Sequence, residues 1–307
     1  MTSDKPKKKG RVYVIGASGR LGRAIISKID AVPVVRRQSG LKEEVVSEYS
    51  RESLKKTLAD ASAIIIASGS TDTLDKKKMR EANVDLTRKI VDAAPIGCRI
   101  LFAGSVSVYG KSLERIPADE RTPARPDSEY ARSKYEAERI VASFADHVIF
   151  RIGPLYGPQF EDYNRVLSML ERGKMRIIGD GKNRVPFVHV DDVADAFRKA
   201  LEKGSGVYVL AGESLTQMEI LSIASSELSV ESPRKRMPRA VAMLAAALSE
   251  IGYWFGGKRP KLTREHVAVL GYDRAFDCSK AKAELGFSPR PLEKGIREMV
   301  REYKKKR

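Results

Sequence analysis

Short apolar runs alternate with longer amphipathic stretches through the first half of this chain. Residues 12–15, 32–35, 63–67, 100–103 and 148–152 are apolar, short and bounded by turn residues, which predicts buried strands. Between them, residues 21–29, 51–58, 74–93 and 130–144 repeat apolar positions at helical spacing. This alternation predicts an α/β fold, a Rossmann-type doubly wound parallel sheet with helices on both faces. Ligands of such a sheet sit at the carboxyl ends of its strands, near the point where strand order reverses.

After residue 152 the rhythm loosens, with a strand predicted at 207–210 and helices at 190–201, 216–227, 239–254 and 292–303. No Gly/Ser-rich linker separates two halves. Residues 11–158 therefore read as the dinucleotide-binding part. Residues 159–303 read as a smaller, mostly helical substrate lobe that returns elements to that core. Residues 1–10, with Lys5, Lys7, Lys8 and Lys9, and 304–307, with Lys304, Lys305, Lys306 and Arg307, read as basic solvated tails. The apolar stretch 240–255 is broken by Ser249 and Glu250, short of the roughly 18 residues of a membrane span. It reads as a buried or pocket-lining helix, with contact to lipid or to an apolar substrate left open.

Composition narrows the picture. A chain of 307 residues, 42% of them hydrophobic, can bury a large core. Its two cysteines, Cys98 and Cys278, have no partners at metal-ligand spacing, so neither a disulfide framework nor a metal site is expected. The polar start lacks the apolar core of a signal peptide, which points to a cytoplasmic protein. The net charge of +17 favours polyanionic partners, from a pyrophosphate cofactor to RNA. No aromatic-interleaved RNA-recognition motif accompanies it, so a small-molecule substrate is expected and nucleic acid is not.

Three motifs carry chemistry. Gly16-Ala17-Ser18-Gly19-Arg20-Leu21-Gly22 follows the first strand and opens a helix. Glycines there permit a tight turn, close backbone approach to a pyrophosphate and close helix packing, while the helix amino terminus favours negative charge. A dinucleotide is thus expected against Gly16, Ser18, Gly19, Arg20, Leu21 and Gly22. About 20 residues on, where NAD enzymes carry an acidic residue, stand Arg36 and Arg37; guanidinium groups there suit a 2′-phosphate, which favours NADP while leaving NAD possible. Tyr130 and Lys134, four apart, share one helical face, and an ammonium beside a phenol lowers the pKa of the phenol towards a useful acid/base range. Ser105, at the end of the fourth long strand, is positioned to hydrogen-bond a reacting oxygen. Ser107 and Tyr109 beside it either touch substrate or support the loop.

Together these residues resemble the extended short-chain dehydrogenases, also called the NAD-dependent epimerase/dehydratase family. The resemblance extends over nearly the whole chain, through Asn83-Val84, the 105–110 strand end, Arg151 with Tyr156-Gly157-Pro158, Gly179-Asp180-Gly181, the run Val188-His189-Val190-Asp191-Asp192-Val193-Ala194, and Leu285-Gly286-Phe287 before Pro289. It implies that Ser105, Tyr130 and Lys134 are catalytic, with Lys134 also holding the nicotinamide ribose. It further implies that Ala67, Ser68, Gly69 and Gly153 lie along the cofactor. Asn83 either binds a water behind the lysine or packs its helix. Ser105, Ser107, Tyr109, Tyr156 and Arg184 are the residues expected to meet substrate, while His189 and Asp192 organise the lobe junction. A homodimer through the 74–93 and 130–144 helices is implied as well.

Departures from the family pattern matter too. Val106 and Ser107 stand where the dehydratase branch carries an acidic pair, which argues against dehydration. The run Arg184-Val185-Pro186-Phe187 displaces by one the arginine that grips substrate diphosphate in many sugar-nucleotide members. The apolar 240–255 stretch and the 260–262 segment resemble the hydroxysteroid and dihydroflavonol reductase side. The leading expectation is therefore an oxidoreductase acting on a secondary alcohol or ketone. A nucleotide-sugar 4-epimerase is the alternative. More remote is a non-catalytic dinucleotide- or RNA-binding relative, which the intact Ser105, Tyr130 and Lys134 set disfavours.

Overall fold

The computed structural model describes residues 10–257, 260 and 263–306. Of the basic termini, Lys5, Lys7, Lys8, Lys9 and Arg307 lie outside the described residues, as do Lys261 and Leu262 of the 260–262 segment. Seven strands form one sheet: β1 (Arg11–Ile15), β2 (Val32–Val35), β3 (Val45–Val46), β4 (Ala61–Ile66), β5 (Arg99–Ser105), β6 (His147–Ile152) and β7 (Gly206–Leu210). All six pairings are parallel, in the order β7-β6-β5-β4-β1-β2-β3. This is the doubly wound Rossmann arrangement, and its order reverses between β1 and β4, the place at which such sheets take their ligands beyond the strand ends.

Alternation along the strands divides the core between the two faces. Val14, Ile65, Leu101, Val148 and Phe150 point to one face, which is covered by α1 (Arg20–Ile26) and by α7 (Val190–Ala200). Tyr13, Ile15, Ile64, Ile66, Phe102 and Ile149 point to the other. That face is closed by α2 (Arg51–Thr57), α4 (Leu86–Ala93) and α5 (Glu129–Ala142). The period of two in side-chain direction explains why the strands read as continuous apolar runs. The expected helix 74–93 is a short α3 (Lys76–Arg80), a π turn over Glu81–Asp85, and α4.

The second half supplies α6 (Glu161–Glu171), α7, β7, α8 (Gln217–Leu228), α9 (Arg239–Trp254), α10 (Arg264–Leu270), α11 (Ser279–Leu285) and α12 (Leu292–Lys305). Leu167, Leu170, Leu221, Leu228, Ile296 and Val300 join α6, α8 and α12 in a separate cluster. The expectation that 240–255 is buried or lines a pocket is corrected here. Only Ala242, Ala246 and Glu250 of α9 are buried, and its large apolar side chains face outward. No helix among the described residues is long and apolar enough to cross a membrane.

One buried charge fastens α5 to the sheet. Arg151 on β6 bonds both carboxylate oxygens of Glu138 on α5, at 2.6 and 3.1 Å, and donates to the Tyr109 hydroxyl at 2.9 Å. Both charged side chains are under 10% exposed, so deleting one strands the other away from water. Replacing Glu138 by Leu should therefore cost about 3–5 kcal/mol of stability. Urea unfolding followed by circular dichroism checks this; a loss below 1 kcal/mol would contradict it.

Candidate active site

The turn between β1 and α1 is shaped by two close approaches. Gly16 has φ +84°, and a Cβ there would lie 2.6 Å from the Ser68 backbone nitrogen. At Gly22 a Cβ would meet the Gly16 carbonyl at 2.2 Å, so this glycine lets α1 press onto the turn. Gly19 is less constrained; it caps α1 without a side-chain bond, and no acidic residue stands in the first turn. First-turn N–H groups are thus left for an anionic ligand. Ser18 and Leu21 lie in the same turn. Arg20 instead reaches Asp162 at 2.8 Å and stacks on Phe160, tying the turn to the second half.

Ala67, Ser68 and Gly69 continue β4 past the turn, with the Ala67 N–H bonded to the Ile15 carbonyl at 2.9 Å. The Ser68 Oγ is buried without a hydrogen-bond partner, a polar atom just past the end of β4 that a bound ligand would satisfy. Asn83, in the π turn, clamps the strand-end loop to its helix. Its Oδ1 accepts from the Ser70 N–H at 2.7 Å, and its Nδ2 donates to the Ser70 carbonyl and to the Ser133 hydroxyl. Arg36 and Arg37 leave the end of β2 exposed, and neither enters an ion pair among the described residues. In the loop that follows, the Glu44 carboxylate accepts from Ser39 and Leu41, which holds its pKa below the usual range.

Lys134 of α5 reaches the end of β5, the strand that carries Ser105. The buried Lys134 Nζ donates to the Ala103 carbonyl at 2.6 Å and lies over the Phe102 ring. Burial pushes its pKa down to about 8, with the Glu138 carboxylate pulling the other way. Two residues beyond Ala103, the Ser105 Oγ accepts from the Ser107 N–H at 3.2 Å and from the Ser107 hydroxyl at 2.9 Å. The proton of Ser105 is then left for an outside acceptor. Tyr130 sits half-buried in the first turn of α5, one turn before Lys134, and Ser128 caps that helix by accepting from the Ala131 N–H.

Other expected residues are placed differently. Tyr109 is buried; its hydroxyl donates to the Asp119 carbonyl and accepts from Arg151, so it supports the loop. Tyr156 is likewise a core residue, packed edge-on against His189 and Phe187 and tight over Gly295 of α12. A Cβ at Gly153 would meet the Pro186 carbonyl at 2.7 Å, so that glycine serves chain packing. The Arg184 side chain is exposed on a two-residue strand. His189 caps α7 by accepting from the Asp191 N–H, and burial lowers its pKa; Asp192 clasps Arg290 at 2.8 and 3.0 Å. Asp192 thereby ties α7 to the segment that precedes α12.

Sequence reasoning missed Arg274. This buried guanidinium donates to the Val106 carbonyl at 2.9 Å and to that of Gly110 at 3.2 Å, holding the turn behind Ser105 from the second half of the chain. Its signal, an arginine beside Ala275 and Phe276 in an otherwise soluble stretch, is too weak to single out. Glu138 had a better one, because Tyr130, Lys134 and Glu138 fall at intervals of four on one helical face.

Comparison with known proteins gives this geometry a context. The model of the NAD dependent epimerase/dehydratase family matches residues 12–211. The chain is 30% identical over 249 residues to 3beta-hydroxysteroid-dehydrogenase/decarboxylase isoform 1 of Arabidopsis thaliana, covering 71% of this chain and 56% of that protein. It therefore spans little more than half of the plant relative. It is 28% identical over 271 residues to short-chain dehydrogenase/reductase family 42E member 1 of Mus musculus, covering 76% and 67% respectively. Among solved structures, that of gox2253 superposes with a TM-score of 0.78 at 25% identity, over 97% of this chain and 98% of that one.

The buried ammonium carries a pH signature. In the unfolded chain a lysine titrates near 10.5, whereas Lys134 in the native protein titrates near 8. Between those values the unfolded state holds more protons, so stability should rise as pH goes from about 8 to about 10.5. Denaturation midpoints across that range check it against Lys134→Met, in which this rise should disappear. Parallel profiles for the two proteins would contradict the assignment.

Proposed function

Because the chain belongs to the NAD dependent epimerase/dehydratase family, we propose that it is an NAD(P)-dependent oxidoreductase that interconverts a secondary alcohol and its ketone. The observation that carries this reading is the meeting of Ser105 and the desolvated Lys134 at one strand end, with Tyr130 one turn from the lysine. The residues fit a dinucleotide. Gly16 and Gly22 let β4 and α1 close onto the turn with no side chain between, the amino terminus of α1 is uncapped, and the Ser68 Oγ awaits a partner. When bound, the nicotinamide supplies or accepts a hydride.

In the direction of reduction, Ser105 donates a hydrogen bond to the carbonyl oxygen, and Tyr130 delivers the proton that completes the alcohol. The ammonium of Lys134 favours the phenolate that remains, and its position against the Ala103 carbonyl keeps it at that spot. Arg151, Glu138 and Arg274 act on none of the reacting atoms; they hold α5 and the 105–110 turn in mutual register. The plant relative is named a hydroxysteroid dehydrogenase/decarboxylase, which supports net redox chemistry over the alternative of a captive-cofactor nucleotide-sugar epimerase. Val185, buried where that branch usually carries its diphosphate-gripping arginine, supports the same ordering. Pairing of two copies over α4 and α5 belongs to this proposal, where Arg88, Arg132, Tyr135 and Arg139 line an open hollow.

Two outcomes test it. Tyr130→Phe removes only the phenolic oxygen and should lower turnover of ketone with NADPH by about a hundredfold or more while leaving cofactor affinity intact. Parental activity in that variant would rule the mechanism out. Arg36 and Arg37 should make NADPH bind more tightly than NADH, and Arg36→Asp should reverse the preference. Calorimetric titration with both cofactors decides this, and equal affinities in the parent protein would refute it.

A further inference from the structure

Helix α9 wears its apolar side chains on the wrong side for a core element. Its inward face is made of small residues, Ala242 and Ala246, against Ile178 and Val267. Glu250 completes that face, accepting from the Arg264 backbone N–H at 2.7 Å and from its guanidinium at 2.8 Å. Outward point Val241, Leu244, Leu248, Ile251, Trp254 and Phe255, each between 52% and 88% exposed. Positions 241, 244, 248, 251 and 255 follow steps of three and four, so five of the six form one continuous stripe along the helix. The other exposed positions from 240 to 257 are Ala240, Ala245, Ser249, Gly252, Tyr253, Gly256 and Gly257, so the outward face carries no charge.

A contiguous apolar face of this kind is normally covered by something. The charges around it say by what. Arg234, Lys235 and Arg236 are exposed immediately before the helix, and the sequence after it continues into Lys258, Arg259 and Lys261. Trp254, Tyr253 and Phe255 gather at one end, and tryptophan and tyrosine prefer the boundary between lipid and water. A second copy of the chain is a poor occupant, because either antiparallel or parallel pairing of the helix brings basic flanks together. An anionic lipid surface meets both demands, taking up the stripe and attracting the flanks.

We propose that α9 is an in-plane membrane-docking helix that seats the protein on an anionic bilayer surface. The chain leads from there to the active site. Arg239 stacks on Tyr272 and bonds the Gly271 carbonyl at 3.2 Å, and Arg274, two residues after Tyr272, grips the turn behind Ser105.

Trp254 is the only tryptophan of the chain, so its emission reports this surface directly. With vesicles of phosphatidylcholine containing one-third phosphatidylglycerol, at low salt, the emission should shift to the blue and be quenched by brominated acyl chains. Partition onto pure phosphatidylcholine should be weaker by about tenfold or more, as should partition of an Arg234→Gln, Lys235→Gln, Arg236→Gln variant onto the anionic vesicles. Leu244→Asp with Leu248→Asp, both on the exposed face, should abolish binding while leaving the circular dichroism spectrum unchanged. Unchanged emission on adding vesicles would overturn the proposal. So would an emission that is already blue without lipid and moves to the red as a dimer dissociates on dilution, which assigns the stripe to a second copy. Lipid binding is read without substrate or cofactor, so its failure is distinct from failure of the oxidoreductase reading.

Discussion

The guanidinium of Arg151 has no water to solvate it, and whatever supplies its counter-charge is therefore fixed in place. That partner is Glu138, held through two hydrogen bonds from β6 to the middle of α5. A third donor of the same side chain reaches Tyr109, in the turn that follows β5. One buried cation thus sets the register of three elements: β6, the helix α5 that carries Tyr130 and Lys134, and the turn that follows Ser105. Slipping α5 by a single residue would leave the charge unpaired, at a cost no surface contact could offset. The two tyrosines expected to meet substrate take their meaning from this. Tyr109 is part of the clamp, and Tyr156 fills the cluster beneath α12.

Two polar links join the second half of the chain to this centre, and a third ties that half together. Arg20 crosses from the glycine turn to Asp162, Asp192 clasps Arg290 at the start of α7, and Arg274 grips the carbonyls of Val106 and Gly110. The first and last couple the second half to the turn that would bind cofactor and to the turn that bears Ser105. Lys134 is the exception to this tight pairing. Its ammonium has one carbonyl and one aromatic face, and the lowered pKa measures what burial costs it.

Much of the sheet was legible in the sequence because parallel strands buried on both faces must be apolar throughout. The predicted strand 32–35 coincides with β2, and four more fall within one or two residues of β1, β4, β5 and β6. The two-residue β3 escaped, being too short to show a period. So did α6, α10 and α11, which are short or mix their apolar positions with charge. The 74–93 helix could be seen, but not its π turn, which depends on the Asn83 clamp onto Ser70. The glycine turn, Ser105 and the Tyr130 and Lys134 pair were readable because each combines a residue type with a strict position. Arg274 was not, since its role arises from a contact between residues more than 160 apart. The sense of α9 was read the wrong way round: an apolar stripe at helical spacing looks the same whether it faces a core or the outside.

Ser105, Tyr130 and Lys134 are proposed to serve a net transfer of hydride between nicotinamide and carbonyl carbon. The most direct measurement is to follow NADPH deuterated at C4 of its nicotinamide with a panel of apolar ketones, by mass spectrometry of the products. Net reduction by this protein places one deuterium on the new carbinol carbon for each NADP+ formed. Epimerisation of a nucleotide sugar with no net oxidation of cofactor and no deuterium in the product would contradict it.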